Sequence, residues 1–128
     1  MRVRTANVRT KSVYEAADPA DGRRVLTTQY WPRGVSKLAV DEYVRKLAPS
    51  RQLLHAFKQD HIDWLAFKAR YLQEMEDEDA KGEIHHLAKA ARSEPITVMC
   101  VCKSEEACHR SLLRDLIINF DEGPSKLI

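Results

Sequence analysis

The sequence predicts an α/β protein in which several helices flank a small parallel sheet. Residues Arg23 to Tyr30 form a β-leaning run that lies between two turn-forming segments. Most of residues 38–93 follow a helical pattern of apolar positions. A continuous apolar run, Ile96 to Cys102, then follows Pro95. Such runs are typical of strands that helices cover, as in a parallel sheet.

Length and composition indicate one ordinary domain. The 128 residues fit a single α/β domain over residues 1–128, and 44% hydrophobic with 31% charged residues is typical of globular proteins. A net charge of +2 does not favour nucleic acid as a partner. No apolar run approaches the ~20 residues that cross a bilayer. The start has no apolar stretch of the kind found in secretory signals, so we expect a cytoplasmic protein.

Strands and turns dominate the first part of the chain. Val3 to Val8 predicts a first strand, and Asp18 to Gly22 predicts a tight reversal. The second strand, Arg23 to Tyr30, ends at Trp31-Pro32-Arg33-Gly34, where proline and glycine turn the chain. The last strand ends near Cys102. We predict that the second and last strands are parallel, so that their carboxyl ends share one edge of the sheet.

Helices are predicted over most of the middle of the chain. Leu38 to Leu47 carries apolar residues at helical spacing, Ser50 caps a second helix and Asp60 caps a third. The apolar stripe of the third helix comprises Trp64, Leu65, Phe67, Tyr71, Leu72 and Met75. Ile84 to Ala91 marks a fourth helix.

A final helix follows the last strand and begins after a cap at Ser104. Its core-facing positions are Leu113, Leu116, Ile117 and Phe120, and their spacing extends back to His109, which therefore faces the sheet. A strand, tight turn and helix form the unit whose strand end holds ligands in open α/β sheets. We therefore predict a Rossmann-like three-layer arrangement with a site at the C-terminal edge of the sheet. Gly123 to Ile128 is predicted to be a loose tail.

The three cysteines are the main candidates for chemistry, since Cys100, Cys102 and Cys108 lie within nine consecutive positions. An odd cysteine count argues for reduced thiols. Cys102 ends a strand close to a helix N-terminus, which stabilises a thiolate, although two glutamates follow in the same turn. We predict catalytic roles for Cys102, Cys108 and His109, with Cys100 packed in the core. The alternative is that the cysteines are inert core residues.

An anion site is predicted beside these residues. Arg33, Lys37 and Arg110 would neutralise an anion, because guanidinium groups hold two oxygens of a phosphate or carboxylate. Trp31 would form a wall of the pocket. His109 would act as an acid or base, or would be a core histidine hydrogen-bonded to the backbone.

Three more specific kinds of cysteine site fit the sequence less well. A cysteine phosphatase loop needs closer cysteine and arginine spacing, with glycines, than Cys102 and Arg110 provide. A rhodanese-like sulfurtransferase favours an anion-binding loop, which two glutamates oppose. Zinc would need Cys100 and Cys102 closer than the roughly 6.6 Å that separates alternate strand positions. We predict no metal and no cofactor.

The sequence also resembles the YeaO-like proteins, known as domain of unknown function 488, over Val13 to Ile118. The stretches that carry the resemblance are Asp21 to Leu26, Trp31 to Lys37, Leu47 to Ser50, and Cys108-His109-Arg110, together with Trp64, Phe67 and Tyr71. The resemblance implies a compact α/β domain without a known activity. Thr28-Gln29-Tyr30 stands where relatives often have an acidic residue and an arginine.

The function we predict is binding, with or without processing, of a small anionic ligand of nucleotide or phosphate type. The ligand would lie at the C-terminal edge of the sheet. Two alternatives stay open: a non-catalytic module that binds a partner, and a cysteine-dependent, sulfurtransferase-like enzyme. The sequence alone does not determine whether the protein is an enzyme, or its oligomeric state.

Overall fold

The computed structural model describes residues 7–102 and 108–120. These residues form one wholly parallel sheet of four strands, in the order β1-β4-β2-β3, and four α-helices. The strands are β1 (Val8–Ser12), β2 (Arg23–Leu26), β3 (Glu42–Tyr43) and β4 (Ile96–Cys100). The helices are α1 (Arg51–Lys58), α2 (Trp64–Glu74), α3 (Glu78–Ala90) and α4 (His109–Ile118). The predicted α/β class is confirmed.

Strand β4 lies between β1 and β2, and all five of its residues are buried. Ile96 is aligned with Val8 of β1 and with Arg23 of β2, and Cys100 is aligned with Ser12. The predicted parallel pairing of the second and last strands is therefore confirmed. The segments that follow β1, β2 and β4 leave the sheet at the same edge.

The two faces of the sheet are covered differently. On one face, Val8, Val25 and Val98 belong to a core cluster that includes buried residues of all four helices. On the other face, Leu26 and Met99 belong to a smaller cluster with Val13, Val35, Val40 and Tyr43. Within the described residues this second face is therefore covered by loops and a short 3-10 turn, where the sequence had suggested helices.

The helix predicted over Leu38 to Leu47 is wrong. This stretch forms a 3-10 turn at Lys37–Ala39, strand β3, and a second 3-10 turn at Arg45–Leu47. The open side of β2 determines this outcome, because the Arg24 and Leu26 carbonyls accept hydrogen bonds from the backbone N–H groups of Asp41 and Val44. A helix would leave that strand edge unpaired.

The helix starts agree only in part with their predicted caps. The Ser50 hydroxyl accepts a hydrogen bond from the Leu53 amide at 3.1 Å, as predicted. Helix α2 is capped by Asp63 and not by Asp60, which has a positive φ of 60° in the preceding turn. The predicted cap at Ser104, residues 3–6 of the first predicted strand and the tail lie outside the described residues. No helix within the described residues has both the length and the hydrophobicity that crossing a bilayer requires.

The helix faces seen in the structure can be tested with two leucines, one of which, Leu65, was wrongly predicted to belong to the apolar stripe of the third helix. Leu113 of α4 is fully buried, whereas Leu65 of α2 is 71% exposed. We expect Leu113→Ala to lower the free energy of unfolding by about 2–5 kcal/mol, because it removes buried methyl groups and leaves a cavity. Leu65→Ala should change it by less than about 0.5 kcal/mol. Denaturant melts measure both values, and equal losses would contradict this packing.

The burial predicted for other helix residues is confirmed for Phe67, Tyr71 and Ile117. Trp64 and Leu116 were predicted to be largely buried but are only partly so, and both pack against the edge of the main core. Partial exposure makes them weaker positions for a truncation test than Leu113.

Candidate functional site

The loops after β1 and β2 meet at the C-terminal edge of the sheet. The Tyr14 hydroxyl, two residues beyond β1, donates a hydrogen bond to the Arg33 carbonyl at 3.0 Å. Because β4 lies between β1 and β2, this contact spans the end of β4, where the cysteines lie. The topology therefore brings three segments that are far apart in sequence to one edge.

The three cysteines form one sulfur cluster at this edge. Their Sγ atoms all lie within 4.8 Å of one another, and the Cys100 and Cys108 sulfurs are 2.8 Å apart. All three are free thiols. Cys100 and Cys108 are buried, while Cys102 is partly exposed. Cys102 is therefore the sulfur of the cluster that solvent and ligands reach most easily.

The sulfur cluster overturns the geometric reason for excluding zinc. That reason assumed that the strand continues through Cys102, but β4 ends at Cys100 and the chain bends at Val101. The bend lets the Cys102 amide donate a hydrogen bond to Cys100 Sγ at 3.4 Å. Three sulfurs this close are a donor set for one soft metal ion, so spacing along a strand does not exclude such an ion.

Arg110 places a buried positive charge against the sulfur cluster. Its side chain donates a hydrogen bond through Nη1 to the Cys102 carbonyl at 2.8 Å, and the same atom lies 3.5 Å from Cys100 Sγ. Arg110 is only 3% exposed, and its Nε has no hydrogen-bond partner among the described residues. Within those residues no carboxylate forms an ion pair with it. A buried guanidinium in such surroundings favours a negative charge nearby, on a sulfur or a ligand.

The cluster concentrates negative charge on Cys102. Hydrogen bonds from the Cys100 and Cys108 thiols, with the positive charge of Arg110, lower the pKa of the Cys102 thiol far below its usual value. Donation to Cys102 correspondingly raises the pKa of Cys100 to about 11. Hydrogen bonds to the other two sulfurs also raise the pKa of Cys108. One thiolate therefore sits on the exposed sulfur, with two protonated thiols beside it.

His109, the first residue of α4, faces the sheet as its spacing predicted and is buried. Its Nε2 lies 2.8 Å from the Thr27 carbonyl oxygen. Because a carbonyl only accepts, Nε2 carries the proton and Nδ1 is left as an acceptor. Nδ1 lies 3.8 Å from Cys108 Sγ. Burial lowers the pKa of His109 to about 4, so the ring is neutral at physiological pH.

These contacts agree with both interpretations of His109, as a core histidine and as an acid or base. The ring is a core histidine bonded to backbone, and it also presents a free nitrogen to a thiol. The Tyr71 ring lies 5.6 Å from the imidazole ring and helps to fix it, while the Tyr71 hydroxyl donates to the Leu47 carbonyl at 2.7 Å.

The other predicted binding residues lie on the loop after β2. The Trp31 indole N–H donates to the Val35 carbonyl at 2.8 Å, and its ring packs edge-on against Tyr43. Arg33 and Lys37 are exposed, and neither side chain forms an ion pair within the described part of the chain. Lys37 begins a 3-10 turn whose Leu38 carbonyl accepts a hydrogen bond from Arg24. Among the predicted binding residues, Arg110 is the one that contacts the sulfur cluster within the described residues.

Sequence reasoning missed Thr27, which orients the imidazole. Its hydroxyl donates to the Met99 carbonyl at 3.2 Å and also lies 3.1 Å from His109 Nε2. Thr27 directly follows β2, and this position at a strand end is the signal that would have found it. Tyr14 was missed for the same reason, since it stands just beyond β1.

The comparisons with known proteins give the family. A family model described as "Active DUF488-N3 subclade" matches residues 8–119. The chain belongs to the DUF488 family. The uncharacterized protein YeaO of Escherichia coli is 34% identical over 111 residues, which cover 85% of this chain and 95% of that protein. The uncharacterized proteins Mb3100c of Mycobacterium bovis and Rv3073c of Mycobacterium tuberculosis are 34% identical over 97 residues, covering 74% of this chain and 82% of each relative.

The predicted membership of the DUF488 family is thereby confirmed. These relatives are named as uncharacterized, as the resemblance implied, and they supply no activity for this DUF488 protein. No solved structure matches the chain. The chemistry of the site must therefore be inferred from its own residues.

Proposed function

We propose that this DUF488 protein binds a small anionic ligand, of nucleotide or phosphate type, at the C-terminal edge of its sheet and processes it with the Cys102 thiolate. One observation carries the proposal: a partly exposed thiol with a lowered pKa lies beside a buried arginine that pairs with no carboxylate in the described residues. Nucleophilic cysteines require such electropositive, accessible surroundings. The description of the matching family model as an active subclade is consistent with a working site.

The roles follow from the contacts. Cys102 is the nucleophile, because it is the accessible sulfur and carries the negative charge. Arg110 fixes the backbone of Cys102 through the carbonyl contact and supplies positive charge to the site. His109 Nδ1 accepts a proton from Cys108, since its other nitrogen is occupied by Thr27.

The loops at the C-terminal edge of the sheet suit a ligand that has a planar ring as well as a negative charge. Several aromatic or large apolar side chains are exposed in the segments that follow the strands, although such side chains are often buried. They are Tyr14 (57% exposed), Tyr30 (59%), Trp31 (38%) and Val101 (43%). Arg33 adds an exposed cation on the same loop as Tyr30 and Trp31. Aromatic rings stack on nucleobases, and guanidinium groups beside them bind phosphates.

A thermal-shift screen tests the binding. Inorganic phosphate and nucleoside mono-, di- and triphosphates at millimolar concentration should raise the Tm of the parent protein, because a ligand that binds only the folded state stabilises it. Arg33→Ala and Arg110→Lys should both reduce the shift. The lysine keeps the charge at position 110 but loses the guanidinium that holds the Cys102 carbonyl and contacts Cys100 Sγ.

The matched control is Lys89→Ala. Lys89 is an exposed cation near the end of α3, where the chain approaches the start of β4 at the opposite edge of the sheet. This variant should keep the full shift. A parent protein that no anion in the screen stabilises would refute the binding proposal and favour a non-catalytic partner-binding module.

A further inference from the structure

We propose that the three cysteines form a relay, in which an adduct formed on Cys102 is converted into a buried disulfide between Cys100 and Cys108. The observation behind it is the 2.8 Å separation of the Cys100 and Cys108 sulfurs in a cluster of three free thiols. A disulfide bond measures ~2.05 Å, so the two sulfurs need to approach by about 0.8 Å. The relay rests on the proposed function in one respect, since both use Cys102 as the nucleophile.

Exposure determines the order of events. Cys102 is partly exposed, while Cys100 is 1% and Cys108 2% exposed. A reagent from solution therefore meets Cys102 first. The buried sulfurs react only within the cluster, where every sulfur lies within 4.8 Å of the other two.

Cys108 is the thiol equipped to attack the adduct. His109 Nδ1, which carries no proton, lies 3.8 Å from Cys108 Sγ and can accept the thiol proton as the sulfur attacks. Cys100 has no such base among its contacts within the described residues, and its thiol is protonated while Cys102 is the thiolate. Once Cys102 is part of a disulfide, the Arg110 guanidinium at 3.5 Å and the Cys102 amide at 3.4 Å favour negative charge on Cys100 as it attacks.

The chemistry is thiol–disulfide exchange with a low-molecular-weight disulfide, RSSR, as the oxidant. The Cys102 thiolate attacks RSSR, forming Cys102–S–SR and releasing RS⁻. Cys108 then attacks Cys102 Sγ, which forms a Cys102–Cys108 disulfide and releases a second RS⁻, while its own proton passes to His109. Cys100 finally attacks Cys108 Sγ, which forms the Cys100–Cys108 disulfide. The proton of Cys100 passes to the departing Cys102 sulfur, which releases it to solvent and becomes a thiolate again. One RSSR is reduced to two thiols, and two protein thiols are oxidised.

The stoichiometry of thiol release tests the relay. Reduced protein is mixed with one molar equivalent of dithionitrobenzoate, an anionic aromatic disulfide whose released thiolate absorbs visible light. We expect each reagent molecule to yield two thiolates, the second at a rate that does not depend on protein concentration. Non-reducing peptide mapping should then find Cys100 joined to Cys108.

Serine variants separate the steps. Cys108→Ser should release one thiolate per reagent and retain the adduct on Cys102. Cys100→Ser should still release two thiolates, but mapping should find Cys102 joined to Cys108. Cys102→Ser should lose the fast first release. Circular dichroism melts identify any variant that fails to fold, and the parent protein gives the deciding stoichiometry without substitution.

Each result for the parent protein decides the question. A stable adduct on Cys102 with one thiolate released would overturn the relay and leave the nucleophile of the proposed function intact. Stable adducts on two or three cysteines would also overturn the relay. No fast reaction at Cys102 would overturn both the relay and the proposed nucleophile.

Discussion

Between about pH 8 and about pH 6, the rate at which iodoacetamide alkylates Cys102 should stay nearly constant. An ordinary cysteine, with a pKa of about 8.5, would slow by roughly 50- to 100-fold over this interval, because only the thiolate reacts. Hydrogen bonds from Cys100 and Cys108 and the charge of Arg110 lower the pKa of Cys102, so the thiolate is already formed at the acid end. Mass spectrometry of the alkylated peptide measures the rate at this residue.

Two variants show whether the sulfur cluster causes the flat profile. Cys100→Ala removes one hydrogen bond to the thiolate and should make alkylation of Cys102 slow again as the pH falls. Cys102→Ser should lose the fast reaction altogether and leave only the slow labelling of the two buried thiols. A parent protein whose Cys102 slows tenfold per pH unit from pH 8 downwards would contradict the assigned thiolate.

The second large effect concerns acid stability. Burial lowers the pKa of His109 in the folded protein to about 4, from 6.5 when the residue is exposed. The unfolded chain therefore binds the proton more readily between these values, and the free energy of unfolding falls as the pH drops from about 6.5 to about 4. We expect His109 to contribute a loss of about 2–4 kcal/mol, measured by urea melts at successive pH values as the difference between the parent and a variant without the imidazole. The Cys102 thiolate, whose pKa is also lower in the folded protein, adds a further loss over this range in both proteins.

His109→Gln isolates this effect, because an amide can still donate a hydrogen bond to the Thr27 carbonyl but does not titrate. The variant should be less stable than the parent at pH 7, and its stability should fall less steeply than the parent's between about pH 6.5 and 4, by the contribution of His109. Asp21 and Asp41 do not confuse the result. Their hydrogen-bonded carboxylates have lowered pKa values, so their contributions are lost as the pH falls from about 5 downwards, equally in the parent and the variant, and cancel in the difference. Equal slopes in parent and variant would show that His109 is not the group that titrates.

Where a stretch has one dominant signal, the sequence alone predicted the fold well. The apolar run of β4 became the fully buried central strand, and the cap at Ser50 was placed correctly. The error at residues 38–47 has a physical origin. Val40, Tyr43, Val44 and Leu47 are spaced as on a helix face, yet the unpaired side of β2 and the bare second face of the sheet needed covering. Both features involve residues that are distant in sequence, so the local spacing of apolar residues does not reveal them.

The sequence predicted which cysteine, histidine and arginine residues lie at the C-terminal edge of the sheet better than it predicted how they are arranged. Topology placed Cys102, Cys108, His109 and Arg110 at one edge, because a strand followed by a helix presents the strand end to ligands. The convergence of the three sulfurs depends on the bend at Val101, which no residue preference indicated. Thr27 was not foreseen either, since its role requires the spatial adjacency of β2 to α4, across 82 residues of sequence.

The central place of β4 has a consequence for the synthesis of the protein. As the ribosome extends the chain, β1, β2 and β3 emerge well before the strand that must lie between β1 and β2. β2 and β3 pair directly, but β1 joins them only through β4, so the sheet closes only after β4 has left the ribosome. The nascent protein therefore carries Cys100 and Cys102 as ordinary, unactivated thiols. The reactive sulfur arises only once α4 has brought Cys108, His109 and Arg110 against the end of β4.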